Sequence, residues 1–214
     1  MVYNTAGLLC CSLLLCGFIR AQDPEPSEQA FTPDPSASTV PSDSYVPLTL
    51  GQNYLWTVHQ ILNPGRLFMV AAGAASDHAR RDPSAWGEGS EGYATRVGSR
   101  LGTIAVRENL AFAVRALDHE DPRYFRSPPA GVLKRARYAA SRAFIVKNER
   151  GGTMPAYSSF VADLATPFIA QTWRPEPISA GRELRTGAVG IGLNVVGNIG
   201  QEFWPDFRKK LLGR

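Results

Sequence analysis

From Gly65 onward apolar residues recur at helical spacing, and each periodic stretch is bounded by Pro, Gly or Asp. The pattern predicts helices over about 65–81, 91–117, 129–150, 155–173 and 179–204. The first follows Asn63-Pro64, and the second follows the glycines of WGEGSEG and stops before Asp121-Pro122. The third opens at Pro129, a residue suited to a first helical turn, and stops before Gly151-Gly152. The fourth starts at Pro155 with a kink at Pro167, and the fifth is stopped by Pro205. Tyr54–Leu62 is a further apolar stretch, readable as a short lead-in helix or strand. No stretch sustains period-two alternation, which argues against an outer-membrane β-barrel. The expected fold is therefore all-α, about five helices behind an N-terminal extension.

The helix faces are small. The second helix carries Gly98, Gly102, Ala105, Asn109, Ala113 and Ala116 at spacings of three and four, and the fifth repeats this with Gly187, Gly190, Asn194, Gly197 and Gln201. Glycine costs about 1 kcal/mol per interior helical position relative to Ala, so close helix approach is the expected compensation. Ala72, Ala75 and Ala79 extend the pattern to the first helix, and Ala136, Ala140 and Ala143 to the third. The reading places the second and fifth helices in contact near Asn109 and Asn194. An Ala-rich bundle from a composition-biased genome accounts for the same stripes, and 19 Arg against 4 Lys fits such a bias.

The N-terminal extension divides in two. Residues 6–19 form a 14-residue apolar run, of the length of a secretory signal and short for a membrane span. Ala21 offers a cleavage position that leaves Gln22 first, so 1–21 reads as a signal peptide. Cys10, Cys11 and Cys16 all lie inside it, and the remainder has no thiol chemistry. From Gln22 to Pro64 there are seven prolines, five acidic residues and no Lys or Arg, the composition of a disordered linker. The helical domain is then 65–214, with 22 basic and 14 acidic residues. No N-x-[ST] acceptor occurs, and a bacterial cell-envelope location, periplasmic or membrane-associated, is expected.

Charge and aromatic placement indicate partners. Arg96, Arg100, Arg107 and Arg115 share one side of the second helix, and Lys134, Arg135, Arg137, Arg142 and Lys147 follow on the third. Such clusters attract anionic surfaces, and a solvated basic face is the ordinary alternative. Trp173 and Trp204 close the last two helices ahead of Arg174 and Arg208-Lys209-Lys210, an order found at membrane interfaces. The longest uncharged run, Thr186–Gln201, has 16 residues and five glycines, short of a span. Membrane-surface contact or self-association is the expected partnership. Nucleic acid is not expected, and no small-molecule substrate or cofactor is identifiable.

Candidate chemistry is confined to Asp118-His119-Glu120-Asp121. His119 and Asp121 are the residues for a metal-assisted or acid–base hydrolase, with Asp77-His78 as a second source of ligands. The cluster is consecutive, so its side chains diverge, and Asp121-Pro122 also reads as a turn start. No nucleophile elbow, phosphate loop or metal motif occurs. A non-enzymatic envelope protein is the leading expectation.

Three strings, Trp86-Gly87-x-Gly89 with Gly92-Tyr93, His119-x-Asp121-Pro122-Arg123-Tyr124-Phe125, and Pro155-x-Tyr157-Ser158, resemble an uncharacterised family of exported bacterial proteins. The resemblance covers about Leu67–Trp204, including a glycine-rich final helix, and transfers no catalytic residue. Helices in that family are more apolar. Arg107-Glu108 and Asp163 interrupt them here, which counts against deep membrane insertion.

Overall fold

A computed structural model describes residues 46–177 and 179–213. The expected signal peptide and the linker as far as residue 45 lie outside the described residues. The described chain is all-α apart from one small hairpin. Its order is α1 (Leu50–Leu62), α2 (Pro64–Ala79), a single 3-10 turn (Ser84–Trp86), α3 (Gly89–Asp118), α4 (Val132–Ser141), β1 (Ile145–Lys147), β2 (Thr153–Pro155), α5 (Tyr157–Ala170) and α6 (Ala180–Leu212).

Local chemistry sets most boundaries. Thr49 and Gln52 exchange hydrogen bonds in a capping box that opens α1, so the lead-in stretch is a helix that begins at Leu50. It therefore belongs to the folded body, inside the stretch read as linker up to Pro64. The Asn63 carboxamide accepts from the Gly65 and Arg66 N–H groups, and Pro64 occupies the first turn of α2. At the far end of α3, His119 takes a left-handed φ of 57° and donates its N–H to the Arg115 carbonyl.

Two expected boundaries move. The stretch 129–150 holds a helix only over Val132–Ser141, and Ile145–Lys147 then pairs antiparallel with Thr153–Pro155. Adjacent β-branched residues at Ile145-Val146 favour the strand, and the turn between the strands is closed by Asn148, whose Oδ1 accepts from Arg150 N and Gly152 N. Pro205 does not stop the last helix, which continues to Leu212. Arg135 bridges this proline, donating to the Glu202 carbonyl on one side and the Asp206 carboxylate on the other. That tertiary clamp holds the two halves of α6 together where a backbone bond is missing.

Helix α3 is the spine. Helices α1, α2 and α5 pack along it, and α6 packs on α5 and α4. The expected meeting of the glycine-rich helices is limited to a side-chain contact from Arg107 to Asn194, while the backbones of α3 and α6 each pack on α5. Asn109 is exposed and donates to Ala105 of its own helix. Gly187 and Gly190 press on α5 instead. Pro167 has no N–H to give the Asp163 carbonyl, and a Cβ at Gly187 would sit 2.8 Å from that oxygen. Gly197 and Gly98 face open space, and Gly102 lies beside Trp173.

The interior is occupied by small and polar groups. The buried hydrophobic residues are Val70 and seven alanines, whereas the largest fully buried side chains include Arg96, Glu183 and Glu202. Among the described residues no Leu, Ile, Met, Phe, Tyr or Trp is buried.

Two glycines of α6 separate packing from propensity. Gly187→Ala should cost about 1–3 kcal/mol, since its methyl meets the Asp163 backbone. Gly192→Ala, with nothing within 4 Å, should gain about 0.5–1 kcal/mol. Urea denaturation of both variants checks the contrast.

Candidate functional site

The polar interior is a connected series of side chains drawn from five helices. Arg66 of α2 donates from Nη1 to Glu108 Oε1 at 2.7 Å, and Arg107 reaches the same oxygen at 3.0 Å. Arg107 Nε then donates to Asp163 Oδ1 of α5 at 2.6 Å, while its Nη2 lies 3.3 Å from Asn194 Oδ1 of α6. Asn194 closes the group by donating from Nδ2 to Asp163 Oδ2. Four charged side chains and one amide thus satisfy one another where four helices meet. Two turns along α3, Arg115 donates to Asn53 Oδ1 and Thr57 Oγ1 of α1, with its guanidinium 5.2 Å from the Trp56 ring centroid.

These environments move the carboxyl groups in opposite directions. Burial pushes Glu108 upward, but the facing Arg66 and Arg107 outweigh it and hold the carboxyl below its ordinary value. Burial dominates at Glu120, whose carboxyl stays raised although Ser158 donates to it from both N and Oγ. Arg115 is lowered by burial, with Glu108 and Glu120 only partly offsetting the loss of solvent.

The candidate hydrolase residues His119 and Asp121 each have a partner close in the fold. His119 is exposed, and its Nδ1 lies 2.9 Å from Glu149 Oε2 in the hairpin turn. Both Asp121 oxygens accept from the Arg123 guanidinium, which also reaches the Val46 carbonyl. Backbone bonds from Asp121 N to Lys147 O and from Glu149 N to His119 O lay this string alongside β1. Tyr124 donates its hydroxyl to Glu202, and Tyr138 donates to the Phe125 carbonyl. HxDPRYF therefore ties α3, the hairpin, α4 and α6 together. His78 lies against Arg96 near the opposite end of α3, so the two histidines do not meet. Among the described residues no three His, Cys, Asp or Glu side chains converge on a metal position.

The arginines and lysines of the expected basic surface range from buried to exposed, and several are ion-paired. Arg96 is 1% exposed and donates to the carbonyls of Asp82, Pro83, Gly87 and Gly92, fixing the loop before α3. Arg100 is paired with Asp77, Arg107 with Asp163 and Glu108, and Arg135 with Glu202 and Asp206. Arg96, Arg107 and Arg135 each answer at least one buried acceptor, whereas the Arg100–Asp77 pair is part-exposed. Lys134 and Arg137 alone of the expected set are exposed and without an ion pair among the described residues.

Sequence reasoning met Glu108 and Asp163 only as interruptions of apolar helices and did not connect them to Arg107, Arg66 or Asn194. The available signal was a carboxylate on a small-residue face of a helix otherwise apolar. Two shallow grooves complete the surface. One, of about 340 Å3, runs over Gly98 and Gly102 between Trp86 and Trp173; the other, about 330 Å3, lies beside Ser127 and Arg135.

Removing one partner of a buried pair strands the other, so Asp163→Ala should lower stability by about 3–5 kcal/mol, measured by denaturant titration. Acid sensitivity has two signs. Glu108 is depressed when folded, so its contribution is present above the unfolded carboxylate pKa and is lost as pH falls through the folded value. Glu120 is raised, so it costs stability as pH rises above the unfolded carboxylate pKa, and the cost is complete once pH passes the folded value. Thermal melts should therefore show Glu120→Gln stabilised at pH 8 with no gain in acid, and Glu108→Gln destabilised at pH 8 with the deficit closing in acid. No protein-family model, curated protein or solved structure matches the chain.

Proposed function

We propose that the chain is an exported, non-catalytic envelope protein whose apolar exterior lies against a membrane surface. One observation carries this reading: large apolar side chains stand outside a charged and alanine-rich interior. Leu50, Leu55 and Leu62 on α1, Leu67 and Phe68 on α2, Phe168 and Ile169 on α5, and Leu193 and Val196 on α6 are all exposed. Each such side chain gains about 1.5–3 kcal/mol when taken out of water, so exposure of this many favours a covering partner. No helix of the described residues is long and apolar enough to cross a membrane, so the reading is of helices lying on the bilayer, not through it.

The likeness to exported bacterial proteins and the apolar leader at 6–19 support export. The buried ion pairs support a scaffold, since their carboxylates are spent on structural partners. Covering of the same exterior by a second copy is the competing reading.

Fractionation of cells expressing the full chain tests the proposal. The protein should sediment with membranes, remain there through a high-salt wash, and begin at Gln22 by mass spectrometry. Recovery of the processed chain as a monomer free of membranes would overturn the membrane reading.

A further inference from the structure

Charge is segregated on α6. Its acidic residues are Glu183, Glu202 and Asp206, and every one is held in an ion pair, with Arg182 or Arg135. Gln171 also donates to Glu183, and Tyr124 and the Ser127 N–H donate to Glu202, so both buried carboxylates are turned into the protein. The cations behave differently. Arg185, Arg208, Lys209 and Lys210 are exposed and have no ion pair among the described residues.

At 100° per residue, Arg185, Val189, Leu193, Val196, Phe207 and Lys210 fall within about 100° of arc. These four apolar residues are exposed, from 42% at Leu193 to 55% at Phe207. None of the three acidic residues falls inside the arc. From Arg185 to Lys210 the strip is about 37 Å long and cationic at both ends; its exposed apolar part is Val189, Leu193 and Val196, with Phe207 beyond Phe203, which shares the arc but is half-buried against the Arg135 guanidinium.

We propose that this outward strip of α6 is the part of the molecule that docks on the bilayer, and that it selects anionic phospholipid headgroups. The proposal rests on the membrane-surface reading above and adds the element and the lipid class. Apolar side chains of the strip enter the headgroup–acyl boundary while the unpaired cations at its ends meet lipid phosphates. Charge complementarity separates this occupant from a second copy of the chain, because an identical strip would bring like-charged ends together in parallel and antiparallel arrangements alike.

Vesicle co-sedimentation of the purified processed chain tests it. Phosphatidylcholine vesicles are compared with vesicles containing phosphatidylglycerol, at low and high salt. Binding to the anionic vesicles should be at least about tenfold tighter and should weaken with salt. The combined change Arg185→Glu and Lys210→Glu should reduce binding to the phosphatidylcholine level, whereas Arg150→Glu in the hairpin turn should not. Leu193→Asp with Val196→Asp should abolish binding to both vesicles while leaving the melting temperature unchanged. Equal binding to both vesicle types would overturn the lipid selectivity and leave the membrane reading standing. Failure to bind either vesicle, with a defined oligomer in solution, would overturn both and assign the exterior to a second copy.

Discussion

The ion pair between Arg107 and Asp163 holds the architecture in register. It joins α3 to α5 at the point where α6 also arrives, through Asn194. A buried carboxylate is costly without a partner, so the three helices are constrained to cross where their polar groups coincide. Alanine and glycine are then required around that crossing, because larger side chains would hold the backbones too far apart for hydrogen bonds near 2.6 Å. The small faces and the buried charges are two sides of one constraint. Large side chains displaced from the crossing have only the exterior left.

Most helix starts were legible, because Pro, Gly and capping residues act locally, although the helix at Leu50–Leu62 was left open between helix and strand. Asn63-Pro64 opens α2 and Tyr157 follows Pro155 closely, as the pattern requires. Where the reading failed, a tertiary contact had overridden a local signal. Pro205 is a stop by propensity, yet Arg135 spans it from α4. The hairpin after Ser141 was hidden because strands of three residues are too short to establish an alternation. The pairing of the basic residues was hidden for a related reason. Position on a helical wheel says which arginines share a side, but not that Arg96, Arg100 and Arg107 face acceptors supplied by distant segments.

The HxDPRYF string shows how a run of titratable groups can serve as a structural junction. Asp121 and Arg123 neutralise each other, Tyr124 is spent on Glu202, and His119 supplies the left-handed residue that ends α3. The consecutive spacing that argued against a shared metal position is the same spacing that distributes the string among four elements. Each side chain points to a different neighbour, so the string works as a junction.

The charged, alanine-filled interior also sets the thermodynamic character of the fold in water. Heat-capacity change on unfolding scales with newly hydrated apolar surface, and polar exposure opposes it. Here much of the large apolar surface is hydrated before unfolding begins. The increment should therefore be small for a chain of this length, and the stability curve correspondingly shallow. Cooling would weaken such a fold little, and hydrophobic collapse would give its folding little direction. Ionic contacts would instead select the native arrangement from among compact states.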